Sequence, residues 1–522
     1  MHLAMVIELA SHRYPEAEAL IDGTLRLTYK EWNNRVNAVA WGFIKLGLQP
    51  GERIAICARN NEPVLTSYFA AHKAGLTAVL LSTRWKSTEL AYALNETEVS
   101  LVIYDKSTSD QVTVALKQCP RNILGIPVDE EVLDGSGHMY FKNLFVNLPD
   151  YPPDINRDDN TISTILYTSG TTGKPKGVPR THRSDYYASL ALIIQHRWTP
   201  LERTLGVMPV YHTMGLHTVI SMVILNGLSV LLPNFNSSSC IYHIKEESLT
   251  ALYLVPTIFY DLVNQLTAVE KKEILIQKLA FAGAPMAPSL IEKCYQTFKP
   301  EVFINQYGST EMHAITINPD LKNKPNSSGR PALHSHIRIV PADANRRVLP
   351  SEEVPIGKTG EIIVKANSPQ AFTKYLNQPD ANDHALRNGW YFTGDLGYLD
   401  EEGDLYLKGR LDDMIISGGE NIYPQEVEEV LLTHPQVKDA AVVGLADERW
   451  GEKVVAFIVT GSSQLNHEEL EEFCLTSTIL PRFKRPKEFI FVKEVPKSST
   501  GKILRSKLKQ DYPKKYLACA EP

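Results

Sequence analysis

Apolar positions recur with two different periods through the first part of the chain. In "YKEWNNRVNAVAWGFIKLG" they fall at helical spacing, whereas "RIAICA" directly after it is a short apolar run of the kind a buried strand makes. The same exchange repeats through "VLTSYFAAHKAG", "TAVLL", "STELAYALNE" and "VSLVIYD". Alternation of this sort predicts a parallel sheet wrapped by helices. The proline-rich "NLPDYPPD" reads as a connector, after which the pattern resumes.

Past Ser328 the texture changes to short strands and turns, as in "SHIRIV", "GEIIVKA" and "GWYFTGDLGYLDEEGDLYLKG", which predicts a compact β subdomain. Beyond Arg410, "YPQEVEEVLLTHP" predicts an amphipathic helix with Val427, Val430 and Leu431 on one stripe and its glutamates outside. The strands "DAAVVGL" and "VVAFIV" follow. The expected fold class is α/β: a large N-terminal domain of doubly wound sheets with a β subdomain, then a small mobile α+β domain. The boundaries fall at 1–410, a hinge at 411–412, and 413–522. No internal repeat or low-complexity tract interrupts this plan.

Between 213 and 233 the chain has no Asp, Glu, Lys or Arg, which superficially resembles a membrane span. His217, Ser221 and the Asn226-Gly227 turn signal divide it, so a buried helix followed by the strand "LSVLL" is expected instead. The start "MHLAMVIELASHR" carries Glu8 within its apolar run and reads as a first helix, not a leader. The ending "CAEP" places a cysteine fourth from the end, but Glu521 and Pro522 do not fit a prenylation box.

With 522 residues, 43% hydrophobic and 22% charged, the chain has room for about two to four compact units. A formal net charge of -6 argues against a nucleic-acid partner. Six cysteines without a close pair suggest neither a disulfide framework nor a cysteine metal site, so a reducing, cytoplasmic compartment is expected.

The candidate chemistry begins at "YTSGTTGKPKGV", residues 167–178. Backbone N–H groups of a glycine-rich turn converge on anions, with hydroxyls and lysines as further donors. The Walker spacing is absent: Gly170 and Gly173 are too close, and Pro175 follows Lys174. Composition alone leaves a solvated linker and a phosphate cradle both open. Further on, in order, come "QYGSTEM", "GWYFTGDLGYLD", "GRLDDMIISGGENIYPQEVE" and "PKSSTGKILR". Together these stretches resemble the core motifs of the adenylate-forming enzymes: acyl-CoA synthetases, adenylation domains of peptide synthetases, and luciferases. "RWKSTEL", "VMPVYHTMGL", "DERWGEK" and "FKRPKEF" are most similar to the 4-chlorobenzoate and related aryl-CoA ligases.

The resemblance implies a two-step reaction in which a carboxylate and ATP give an acyl-adenylate, and a thiol then takes the acyl group. It implies ATP, Mg2+ and coenzyme A as cosubstrates and cofactor. Thr168, Ser169, Gly170, Thr171, Thr172 and Lys176 would hold the β- and γ-phosphates, Glu311 the Mg2+, and Thr310 the α-phosphate. Gly283, Ala284, Tyr307 and Gly308 would border the nucleotide, Asp395 would accept the ribose hydroxyls, and Arg410 would support ribose and phosphate. Lys502 would bridge carboxylate and α-phosphate as the catalytic lysine, and Asp412 would be the pivot.

By the same resemblance Ala191, His212, Thr213, Tyr253, Ala282, Gln306, Gly308 and His313 would line the acyl pocket, with His212 also near the chemistry. Arg84, Gly418, Gly419, Trp450, Phe483, Arg485 and Lys487 would receive coenzyme A. "VYHTM" lacks the aspartate that amino-acid-activating domains place near this loop, which turns the reading away from an amino acid. A benzoate-like acid leads, and the polar Gln306 and His313 admit a hydroxy- or amino-substituted ring. A medium-chain fatty acid, a carrier-protein thiol and a nucleotide-binding regulator stay open as alternatives. Taken singly, Asp395 reads equally as a turn residue, Glu311 as a solvated charge, and "RFKRPKEF" as a basic patch. The partners expected are small molecules, with no membrane span; a homodimer is admitted.

Overall fold

The computed structural model describes residues 1–129, 139–168, 175–343, 346–461, 465–477, 479–497 and 503–512. By its contacts the chain divides into two compact units, Met1–His336 with Lys365–Tyr391, and Ile337–Val364 with Phe392–Pro522.

The first unit holds two sheets. The larger one runs Arg330–Pro331, Thr316–Asn318, Val302–Tyr307, Lys278–Ala282, Ala251–Leu254, Arg203–Gly206, Leu228–Leu231, Glu18–Asp22 and Leu25–Thr28. Its six central strands, from Val302–Tyr307 across to Glu18–Asp22, are parallel, and antiparallel strands close both edges. The second sheet runs Leu124–Pro127, Leu101–Tyr104, Arg53–Cys57, Thr77–Leu80, Ile162–Thr168 and Lys176–Thr181, and is parallel except for its last pair. The alternating pattern thus folds as the doubly wound α/β arrangement it predicts.

Helices fill the space between these sheets. Tyr29–Lys45 starts at a capping box, with Thr28 Oγ1 accepting from Glu31 N at 3.2 Å and Glu31 Oε2 accepting from Thr28 N at 2.9 Å. Its stripe Tyr29, Trp32, Val36, Val39 and Phe43 is fully buried. That stripe shares one core with helices Leu3–Arg13, Glu62–Lys73 and Thr213–Leu225, with Leu20 and Leu231 of one sheet, and with Ile54 and Leu101 of the other. Burial on all sides explains why 213–225 needs no charge. Asn226 ends that helix in the left-handed region at φ 53°, and strand Leu228–Leu231 follows. Among the described residues no helix is long and apolar enough to cross a membrane.

The second unit begins with an antiparallel sheet containing Ile337–Val340, Gly360–Lys365, Trp390–Leu399 and Leu405–Arg410. The 3-10 turn Leu411–Asp413 leads into a sheet built on the long hairpin Val437–Asp447 and Gly451–Thr460. Ile415–Ser417 flanks this hairpin antiparallel and Glu488–Phe491 joins it parallel. Helix Pro424–Leu431 buries Val427, Val430 and Leu431 as expected, but Glu428 is not outside with the other glutamates. It is 5% exposed, accepts two bonds from Arg505 at 2.6 and 2.7 Å, and accepts Val442 N at 2.7 Å. The guanidinium and amide replace the water that burial removes.

Candidate active site

The acyl-pocket and nucleotide candidates of the first unit gather at the carboxyl ends of parallel strands, where open α/β sheets place their ligand crevices. Tyr253 lies near the end of Ala251–Leu254, Ala282 ends Lys278–Ala282, and Gln306 and Tyr307 end Val302–Tyr307. Ala282 and Gln306 are direct register partners on neighbouring strands. Gly283 and Ala284 follow at once, and Ala191 is buried in helix His182–Gln195. His212 caps helix Thr213–Leu225 and is only partly buried, as is Thr213.

The segment after Tyr307 turns sharply, because Ile315 N returns to Tyr307 O at 2.8 Å and His313 N to Ser309 O at 2.8 Å. The turn needs Gly308: a Cβ there would sit 1.5 Å from His313 O. His313 pays with a left-handed backbone at φ 59°, an uncommon state for a side-chain-bearing residue and one that concentrates at functional sites.

Glu311 stands on this turn, 6% exposed, and its Oε1 accepts from Tyr375 Oη at 2.8 Å. Lys176 Nζ lies 5.0 Å from the centroid of the same tyrosine ring. Lys176 is paired across the strands with Thr168, at the two described edges of the glycine–threonine segment. Thus one tyrosine connects the proposed metal carboxylate to the proposed phosphate-loop lysine. Ser169, Gly170, Thr171 and Thr172 lie outside the described residues. No group of three His, Cys, Asp or Glu fit to hold a metal occurs among the described residues. One carboxylate suits Mg2+ nonetheless, since Mg2+ travels with phosphates and commonly takes only one or two protein oxygens.

Beneath this turn lies a buried ionic chain that sequence reasoning missed. Arg180 Nε donates to Asp185 Oδ1 at 2.5 Å, His217 Nε2 faces the same oxygen at 3.1 Å, and His217 Nδ1 faces His313 Nδ1 at 2.9 Å. Arg180 also donates to Thr310 O at 3.0 Å and Gln370 O at 3.1 Å, which ties the chain to the Glu311 turn. Burial pushes the Asp185 carboxyl up, but the Arg180 charge and the His217 bond outweigh it and hold the group well below the usual carboxylate range. Burial likewise lowers His217, and lowers His313 further with help from neighbouring His217 and Arg180. A second histidine, His196, meets Gln306 Oε1 at 3.0 Å and packs edge-on against Tyr253 at 4.8 Å. No spacing rule relates Arg180, Asp185 and His217, and His217 draws notice in the sequence only as a polar interruption.

In the second unit Asp395 and Arg410 are register partners across an antiparallel pair, and Arg410 Nη1 donates to Asp395 Oδ1 at 2.7 Å and to Thr393 O at 3.0 Å. Residues fifteen apart in sequence thereby form one carboxylate–guanidinium pair suited to a ribose. Asp412 lies in the turn Leu411–Asp413, and its neighbour Asp413 is held by Arg505 at 3.4 Å.

Of the coenzyme A candidates, Gly418, Trp450 and Lys487 come together. Gly418 N donates to Trp450 O at 2.8 Å, and a Cβ on Gly418 would sit 3.0 Å from the indole. Lys487 Nζ is 5.5 Å and Arg449 Cζ 4.8 Å from the Trp450 ring, which is itself 37% exposed. An open indole edged by cations is a fitting platform for a nucleotide. Gly419 adjoins Gly418, and Phe483 is exposed. Arg485 is engaged by Glu471 at 3.0 Å. Arg84 belongs to the first unit and is exposed. Lys502 lies outside the described residues; Lys497 and Ile503, on either side of it, form an antiparallel bridge.

Comparison with known proteins shows the family. The family model "AMP-binding enzyme" matches residues 7–376, and "AMP-binding enzyme C-terminal domain" matches 426–502. The chain is 32% identical to a 4-chlorobenzoate–CoA ligase of Arthrobacter sp over 97% of its length and 94% of that relative. It is also 32% identical to a long-chain-fatty-acid–CoA ligase of Mycobacterium tuberculosis, over 95% of its length and 96% of that relative. An o-succinylbenzoate CoA synthetase from Bacillus subtilis, solved with its acyl-adenylate intermediate, superposes with a TM-score of 0.82 at 29% identity, covering 97% of both chains. The chain belongs to the adenylate-forming, AMP-binding enzyme family.

Proposed function

We propose that this AMP-forming CoA ligase activates a benzoate-like carboxylic acid, by way of its acyl-adenylate, and that the residues grouped above carry the two half-reactions. The observation that supports the site reading is the buried Glu311 carboxylate joined through Tyr375 to Lys176, because one ring then contacts both a carboxylate suited to Mg2+ and a cation next to the glycine–threonine segment. Mg2+ held there would neutralise and orient the triphosphate. Lys176 with the hydroxyls of 168–172 would hold the outgoing β- and γ-phosphates, and Thr310 the α-phosphate. Positioning and charge neutralisation are the main needs when an anion attacks a triphosphate.

In that first step a carboxylate oxygen bonds to the α-phosphorus and the bond to pyrophosphate breaks, with Lys502 steadying the charge. In the second the coenzyme A thiol gives up its proton to solvent, its sulfur bonds to the acyl carbon, and the bond from that carbon to the AMP phosphate oxygen breaks. Trp450, Lys487 and the glycines 418 and 419 support free coenzyme A as the acceptor in preference to a carrier protein. The aromatic acid is supported by the aryl-acid relatives and by the edge-on packing of His196 on the acyl-pocket candidate Tyr253. Among the described residues the five cysteines are free and four of them are buried, which supports a reducing compartment.

Pyrophosphate release measured with ATP, Mg2+ and coenzyme A across benzoates, phenylpropenoates and fatty acids tests this. Benzoates should give the highest kcat/KM. Preference for a fatty acid would overturn the substrate class, and acid-independent or absent pyrophosphate release would overturn the ligase reading.

A further inference from the structure

The chain Arg180–Asp185–His217–His313 has a direction that its chemistry fixes. Arg180, Asp185 and His217 are fully buried and His313 is 3% exposed, so water does not intervene. Asp185 is ionised and can only accept. His217 must therefore turn its proton-bearing Nε2 toward Asp185 Oδ1, 3.1 Å away. A neutral imidazole with its proton on Nε2 offers a lone pair at Nδ1. His313 Nδ1, 2.9 Å from that atom, must then be the donor. The proton of His313 is thereby placed on Nδ1 and its lone pair on Nε2, at the ring edge away from His217. That nitrogen is buried and has no hydrogen-bond partner among the described residues. An orphaned buried acceptor is costly and calls for a donor.

We infer that Arg180, Asp185 and His217 are positioning residues that set His313 as a hydrogen-bond acceptor for the acyl group, so that the substrate is an acid carrying a hydroxyl or neutral amine. This rests on the ligase reading and narrows it. The backbone supports the same assignment. Arg180 grips Thr310 O and Gln370 O, so the chain's charged end is anchored to the turn that carries His313. His313 shares that turn with Gly308, and Gln306 ends the strand just before it. A donor on the substrate satisfies Nε2, whereas a methyl or halogen in its place leaves it unpaired. A site built for such a bond discriminates far more strongly than an apolar pocket does.

The test uses the full-length enzyme with ATP, Mg2+ and coenzyme A. It compares acids matched as hydroxyl against methyl: benzoates at each ring position, and omega-hydroxylated against plain medium-chain fatty acids. At least one hydroxy-acid should exceed its methyl partner in kcat/KM by about 100-fold or more. His217→Phe removes the acceptor that faces His313 Nδ1, which frees the His313 proton to move to Nε2. The ratio should then fall below about tenfold. Nitrogen-15 NMR of the wild-type histidines should show His313 protonated on Nδ1, and this reading stands even if the variant fails to fold. Thioester formation without a hydroxyl preference, a preference untouched by His217→Phe, or a wild-type His313 protonated on Nε2 would each overturn the inference and leave the ligase reading standing. No turnover of any acid would remove both.

Discussion

Lys502 and Glu311 illustrate how differently two single residues can be read. A lysine near a lysine-rich terminus looks like a surface charge until "SSTGKILR" surrounds it, and a glutamate in "STEM" looks solvated until Tyr375 is found on it. The role proposed for Lys502 separates the half-reactions, because its charge meets the α-phosphate only while the adenylate forms. Lys502→Ala should lower acid-dependent pyrophosphate release by on the order of 10² to 10³. It should leave thioester formation from supplied acyl-adenylate within about tenfold, as expected of a group that acts in one step only. Both rates would be followed in single-turnover experiments, and equal loss of the two sinks this role. The other side of residue-scale reading is what it misses. Asp185 lies five residues from Arg180 and 32 from His217, and those separations follow no helical or strand period. Their partnership exists only once a strand, a helix and a second helix are packed.

Elements were far more legible, and for a physical reason. A strand buried on both faces, such as Leu101–Tyr104, reads as a continuous apolar run, and a helix such as Tyr29–Lys45 must show its buried stripe at helical spacing. What periodicity cannot reveal is a polar residue held inside by a distant partner, as Arg505 holds Glu428. The turn Leu411–Asp413 supports a prediction of its own. The turn starts at Leu411 directly after the extended Arg410 (φ -112°, ψ 144°), Asp412 is its middle residue, and Met414 N closes it on Leu411 O at 3.3 Å. Proline's fixed φ suits a 3-10 turn, so Asp412→Pro should fold. If the second half-reaction requires rotation about this residue, the variant should keep adenylation and lose thioester formation by on the order of tenfold or more. Retention of both rates would remove Asp412 as the pivot.

Stacking helices between two sheets forces groups into the interior that would rather meet water, and the whole first unit carries that cost in its histidines. His72 is fully buried, and among the described residues neither ring nitrogen makes a well-formed hydrogen bond; it lies edge-on to His182 at 4.8 Å, and His182 Nδ1 accepts Leu3 N at 3.3 Å. Burial lowers His72 to about 3 and His196 to about 4, and lowers His182 further still. Below pH 6.5 the unfolded chain binds protons at these sites and the folded chain does not. Stability is therefore full above that pH and falls as pH drops toward the folded values. Glu62 and Glu428 act in the opposite sense, since burial raises them and the folded state takes up their protons first. Asp185, held low, stays charged through this window. The net slope mixes these signs, so a difference between variants isolates the histidine contribution. His72→Leu removes one buried basic group from an apolar setting. Between pH 7.5 and 5.5 the wild type should lose about 1.4 kcal/mol more than the variant, one pH unit's worth below the unfolded histidine value. Denaturant midpoints at the two pH values measure this. Parallel losses in the two proteins would mean that His72 is charged in the folded state, or hydrated there, contrary to its place between the sheets.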